Sequence, residues 1–137
     1  HNIYCLQDTH FTLEAEHDIR TLWGYDCFLV HTLQRGVAIL FKNNFEFSFS
    51  KIKGDSDCNY IILEFTTEGK KLLWCCIYGP NNDDPAFYTN IQEYILDSQC
   101  ENVIMCGDFN LVLNPELDCY NYKHFNNPNT RQKLLKL

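Results

Sequence analysis

Between Asp26 and Tyr78 the chain carries five segments, "DCFLVH", "GVAILFK", "FEFSFSKI", "NYIILEF" and "KLLWCCIY", built almost wholly of β-branched, aromatic and apolar residues. Such side chains are stiff in a helix but pack well on a pleated surface, so the middle of the chain is predicted to be sheet. The stretch "TTEGKK" between the last two segments has the composition of a hairpin turn.

Helices are predicted on either side of this β block. After the strand-like "NIYCL" and the loop "QDTH", the residues Ala15, Ile19, Leu22 and Trp23 recur at helical spacing, with Thr12 as a cap and Gly24 as a stop. Further on, "NNDDPAFYTNIQEYILDSQ" sets Asp84 before Pro85 as cap and first helical residue, and Phe87, Ile91, Tyr94 and Ile95 share a face. A buried interior strand, "VIMC", is then expected to end in a tight turn at Gly107, followed by an Asn-rich loop and the start of a last helix, "NPNTRQKLLKL". Hairpins in the centre with helices entering between strands predict an α/β fold, or α+β by looser counting, with a mixed sheet covered by helices.

A chain of 137 residues, 45% of them apolar, is long enough for one domain with a core, which excludes a disordered class. It has neither an apolar run of bilayer-spanning length nor a secretion-signal layout, so it reads as intracellular. It starts without Met and stops inside a helical pattern, which suggests a fragment. The cysteines 5, 27, 58, 75, 76, 100, 106 and 119 form no C-x-x-C pair, so zinc is not expected. Those inside strand-like runs are expected to be reduced, small hydrophobes with no disulfide partner. A net charge of −7 excludes a broad basic surface, so any contact with a polyanion must be local.

Three strands end in polar clusters: "YCLQDTH", "WCCIYGPNN" and "IMCGDFN". If these strands are neighbours with the same ends together, Asp8, Tyr78, Asn81, Asp108 and Asn110 converge. Carboxylates, amides and a phenol suit a phosphate ester held with a divalent metal. Hard oxygens bind magnesium, a second carboxylate orients or deprotonates a water, and neutral donors meet phosphate oxygens without adding charge. Each piece alone has a plainer reading: a turn at Gly107-Asp108, a helix cap at Asp8, turn chemistry in "YGPNN", a helix entry in "NNDDP", and a structural His10.

The segments "IYCLQDTH", "RGVAILF", "CCIYGPNNDDPAFY" and "MCGDFNLVLNPELD" resemble the endonuclease domain of non-LTR, LINE-type retrotransposons. That domain is part of the exonuclease-endonuclease-phosphatase superfamily, with abasic-site endonucleases and deoxyribonuclease I. The resemblance runs over practically the whole chain. It implies a four-layered sandwich of two mixed sheets flanked by helices, with residues 1–137 as a partial domain. It also implies magnesium-dependent nicking of DNA, with manganese as a substitute, to leave a 3′-hydroxyl that primes reverse transcription. DNA and a reverse transcriptase domain on the same parent chain would be its partners and the nucleus its place of action.

By motif match Asp8 takes the metal-binding position, Tyr78 contacts the phosphate or supports the metal site, and Asn81 lies in the adjoining turn. Asp108 matches the residue that orients or deprotonates the attacking water, and Asn110 the one that hydrogen-bonds the scissile phosphate. The family has Glu where this chain has Asp8, whose carboxylate is withdrawn by about an ångström. The family's Asn-bearing first strand and its late Ser-Asp-His motif have no counterpart in the chain, and neither His17 nor His124 stands in the context of that motif. Two other readings remain open at this level: a non-enzymatic remnant of a mobile element, and a superfamily phosphatase or phosphodiesterase acting on a small or lipid phosphate.

Overall fold

A computed structural model describes residues 2–23, 26–118 and 127–137. Two compact units make up the chain, His1–Tyr78 with Cys100–Asp108, and Gly79–Gln99 with Phe109–Leu137. The first holds the seven strands found among the described residues: β1 (Ile3–Gln7), then helix α1 (Leu13–Trp23), β2 (Cys27–His31), β3 (Gly36–Phe41), β4 (Ser48–Gly54), β5 (Tyr60–Thr67), β6 (Lys70–Tyr78) and β7 (Val103–Asp108). They form a three-stranded sheet ordered β1-β3-β2 and a four-stranded sheet ordered β4-β5-β6-β7. An α/β fold with two sheets and helices is thus what the chain adopts. The smaller sheet is antiparallel throughout, while the larger is mixed because β6 and β7 run parallel.

Alternation along each strand explains how the sheets meet. Val37, Ile39 and Phe41 of β3 and Ile61, Leu63 and Phe65 of β5 are fully or almost fully buried in one cluster with Cys76. The in-between residues of β3, Ala38 and Leu40, pack instead with Ile19 and Trp23 of α1, which therefore covers the outer face of the small sheet. Trp23 Nε1 donates to the carbonyl of Phe41 at 2.7 Å, fastening that helix. Thr12 caps α1, accepting from the amide of Ala15 at 3.1 Å. Leu22, expected on the same face, is 85% exposed instead. Gly24, read as the helix stop, lies outside the described residues.

Two further sequence readings are corrected. "FEFSFSKI" is only partly strand: β4 begins at Ser48, because Phe45 and Phe47 leave the ladder to stack on Phe41, with centroids 5.6 and 4.3 Å away. Ring packing outweighs β propensity there. The second correction concerns β7. It is an edge strand of half-buried and exposed residues, and it continues through Gly107 to Asp108 without a turn. Gly107 is there for a close approach: its φ is +134°, and a Cβ would stand 1.9 Å from the carbonyl oxygen of Ile77 on β6. In the β5–β6 hairpin, Glu68 and Gly69 have φ of 50° and 74°, the two positive values of a type I′ turn.

The interior between the sheets also holds a thiol cluster. Cys5 Sγ accepts from Cys106 Sγ at 3.2 Å and from Trp74 Nε1 at 3.1 Å, while Gln7 Nε2 donates to Cys76 Sγ at 3.2 Å. Donors from Cys106, Cys76 and Trp74 hold the Cys5 thiol well below its ordinary range, and burial pushes Cys75 up to about 12. The seven cysteines among the described residues are free thiols.

The second unit contains α2 (Pro85–Ser98), the four-residue α3 (Pro115–Asp118) and α4 (Pro128–Leu134). Asp84 caps α2 by accepting from Ala86 and Phe87 amides at 3.1 and 3.3 Å. Phe87, Tyr88 and Ile91 are its buried residues. Asp83 accepts from the Thr130 amide and hydroxyl at 2.8 and 2.7 Å, which holds its carboxyl below the usual range. The acidic pair is therefore a double helix entry, and "NNDDP" uses both of its carboxylates structurally. No described helix is long and apolar enough to cross a membrane.

Substituting Gly107→Ala is expected to lower stability by at least about 2 kcal/mol in denaturant titration, because strand approach and backbone angle both reject a Cβ. An unchanged midpoint would refute the close β6–β7 contact. Glu16 accepts from His31 Nε2 at 2.9 Å and Arg20 Nε at 2.9 Å, and these bonds lower its pKa. A depressed carboxyl contributes stability above its unfolded pKa of about 4.3 and loses it as pH falls through the lower folded value. Glu16→Gln should accordingly cost roughly 0.5–1 kcal/mol at pH 7, with the gap to wild type closing below about pH 4 in acid melts.

Candidate active site

Parallel pairing of β6 and β7 sets Tyr78 directly beside Asp108, with Cys76 beside Cys106 two residues earlier. Neighbouring strands lie about 4.8 Å apart, so the phenol and the carboxylate rise from adjacent backbone positions at the carboxyl ends of both strands. Tyr78 packs against the core cluster, which fixes the inward face of β6, and strand alternation gives Asp108 the same face. The third strand arrives from the other sheet. Cys5 touches Cys106 and Gln7 touches Cys76, so β1 ends where β6 and β7 end, and Asp8 follows immediately.

Asp8, Tyr78 and Asp108 are thus gathered at one mouth of the first unit. Asp8 is half exposed, and its Oδ1 lies 2.8 Å from His10 Nε2. His10, read as structural from the sequence, is the immediate partner of this carboxylate. An exposed contact of that kind contributes about 0–1 kcal/mol and leaves the acid accessible. Asp8 has φ of 54°, but among the described residues it shares positive φ with seven other non-glycine residues, so backbone strain does not single it out.

Asn81 and Asn110 belong to the second unit. Asn110 Nδ2 donates to the carbonyl of Gly79 at 2.7 Å, tying the chain after β7 to the "YGPN" turn. Phe109 reinforces this: its carbonyl accepts from Tyr88 Oη at 3.0 Å, and a Cβ on Gly79 would come within 2.2 Å of the same oxygen. Asn81 sits in an exposed turn, where its carbonyl accepts from Asn127 Nδ2 at 3.3 Å.

Sequence reading missed a polar chain at the mouth of the first unit. Asp55 accepts from the amide and Nδ2 of Asn59, both at 2.7 Å. Asn59 Oδ1 then accepts from Arg35 Nη1 at 2.8 Å, and the Asn59 carbonyl accepts from the amide of Tyr78 at 2.7 Å. Arg35 also lies over the Tyr78 ring, 5.8 Å from its centroid. The available signal was an arginine just before Gly36 at a strand start in an acidic chain.

Whether these residues suit a metal follows from the donor set. Among the described residues no three His, Cys, Asp or Glu side chains gather into a metal-holding group. A closed protein cage does not fit, whereas two hard carboxylates at one mouth suit a cation that keeps most of its water, as magnesium does.

No protein-family profile matches the chain. Solved structures do. The 3′-5′ exonuclease NExo from Neisseria meningitidis aligns over 98% of this chain and 60% of its own, with a TM-score of 0.66 and 19% identity. NExo from Neisseria described as a 3′ phosphatase bound to product DNA hairpin aligns over 98% and 58%, with a TM-score of 0.64 and 17% identity. Truncated Caenorhabditis elegans TDP2 aligns over 81% and 50%, with a TM-score of 0.56 and 18% identity. The chain therefore spans between 50% and 60% of the length of these structures and shares their fold over that part.

Proposed function

We propose that the chain is part of a divalent-metal-dependent hydrolase of DNA phosphodiesters, and specifically of the nicking endonuclease of a non-LTR retrotransposon. The observation that carries the reading is the parallel register that sets Tyr78 beside Asp108 where β1 delivers Asp8. The fold-level likeness to a 3′-5′ exonuclease supports it, as does D. rerio TDP2 complexed with single strand DNA product, at 18% identity and a TM-score of 0.53. The retrotransposon assignment, a reverse transcriptase neighbour and a nuclear place of action rest on the motif resemblance. On the same reading residues 1–137 are part of a longer domain of this type.

In this mechanism Asp8 would hold the cation, magnesium or manganese. When bound, the metal supplies Lewis-acid charge against the phosphate. Asp108 accepts the proton of the attacking water, whose oxygen forms the new bond to phosphorus as the bond to the leaving 3′ oxygen breaks, and that oxygen takes a proton from solvent water. Tyr78 would donate a hydrogen bond to a non-bridging oxygen, the motif resemblance gives Asn110 the same role and sets Asn81 in the turn after Tyr78, and the products are a 3′-hydroxyl and a 5′-phosphate. A monoester substrate is the second reading, favoured by NExo bearing the description 3′ phosphatase as well as exonuclease. A non-catalytic remnant is favoured by the shorter Asp at position 8, where the family has Glu.

The test is nicking of supercoiled plasmid with magnesium. The isolated chain should nick only very weakly, chelation should abolish what activity it has, and Asp108→Ala should remove that residual nicking with an unchanged melting temperature. A folded wild-type chain that leaves the plasmid intact but releases phosphate from a 3′-phosphorylated oligonucleotide would favour the monoester reading. Inertness toward both would favour the remnant.

A further inference from the structure

We propose that Arg35 contacts a DNA backbone phosphate flanking the one at Tyr78 and Asp108, in the cavity between the β2–β3 and β4–β5 turns. DNA as the ligand rests on the function proposed above. The cavity has a volume of about 560 Å³ and is lined by Thr32, Leu33, Gln34, Arg35, Ser56 and Asp57.

Arg35 is prepared for such a contact from two directions. Its backbone is pinned, because the Thr32 amide donates to the Arg35 carbonyl at 2.7 Å and the Thr32 hydroxyl accepts from the Arg35 amide at 3.1 Å. Its guanidinium is pinned by Asn59 Oδ1 and by the face of Tyr78. Asn59 has no freedom to give way: it is 5% exposed, and its amide and Nδ2 are both committed to Asp55. The orientation of Arg35 is therefore set before any ligand arrives, which reduces the entropy lost on binding.

The charge of Arg35 is also undischarged. Arg20 of the same unit lies 2.8 Å from Glu16, whereas among the described residues Arg35 pairs with no carboxylate. Asp55 reaches it only through the neutral amide of Asn59. A guanidinium has five N–H donors, and the contacts above commit one Nη1 hydrogen to Asn59. A planar donor fork on the cavity wall beside Tyr78 matches the oxygens of a phosphodiester. Asp57 also lines that cavity and opposes an anion there, which limits the site to a phosphate engaged from the Arg35 side.

A purely structural role is the competing account, since Arg35 braces Asn59, and Asn59 holds the Tyr78 amide. The salt dependence of binding separates the two. Affinity for a short DNA duplex is measured in chelator, so that cleavage plays no part, across a series of salt concentrations. Arg35→Gln should make the plot of log K against log salt shallower by about 0.9, the value of one duplex phosphate contact, and Arg35→Lys should keep the wild-type slope. Ser56→Asp, at an exposed position on the same wall, tests the cavity without disturbing the bracing and should weaken binding most at low salt. Wild-type slopes in both Arg35→Gln and Ser56→Asp would overturn the proposal, and so would absence of duplex binding by wild type. If nicking fails while the slope still changes, the hydrolase reading falls and the phosphate contact stands. Nicking that persists with an unchanged slope has the opposite meaning.

Discussion

The parallel ladder between β6 and β7 is the constraint on which the rest of the candidate site depends. It places two strand ends side by side, and it requires a residue without a side chain where β7 passes the carbonyl of Ile77. Gly107 therefore precedes Asp108 for a steric reason, and the acid inherits its position from that contact. An edge strand is normally the least constrained in a sheet. Here the close approach replaces the missing neighbour as the source of precision.

The second source is the interior between the sheets. Cys5 and Cys106 contact each other and both contact Cys76 and Trp74, and with Gln7 these residues fix how far β1 advances relative to β6 and β7. A slip of one residue in β1 would turn these side chains to the opposite face and move Asp8 away from the mouth. Small sulfur-bearing residues let the two sheets come close without voids, and they donate and accept weak hydrogen bonds where larger aliphatic side chains would only pack.

Much of this architecture is legible in the residues. Four of the five apolar segments, the Glu-Gly hairpin and the Asp-Pro helix entry act locally, through χ1 stiffness, backbone angle and cap geometry, so their outcome can be read without a partner. The errors arise where a distant partner decides. Phe45 and Phe47 look like strand but stack on Phe41, "VIMC" looks interior but lies at an edge, and Gly107 looks like a turn but faces Ile77. For the candidate site, the three strand-end clusters were visible because each joins an acid or phenol to a strand terminus. Arg35 and Asn59 were not, because their link spans 24 positions and depends on how two separate turns meet.

The connectivity of the larger sheet also bears on the order in which the chain assembles. The β5–β6 hairpin closes through a two-residue turn and can form early, since its loop-closure cost is small. The Cys5–Cys106 contact joins positions 101 residues apart, so β1 meets β7 only after nearly the whole intervening chain has been made. On a ribosome the hairpin can fold while Asp108 is still unsynthesised. The mouth that carries the proposed chemistry is therefore among the last features to form, and the emerging chain holds its acidic groups apart until the sheets have closed.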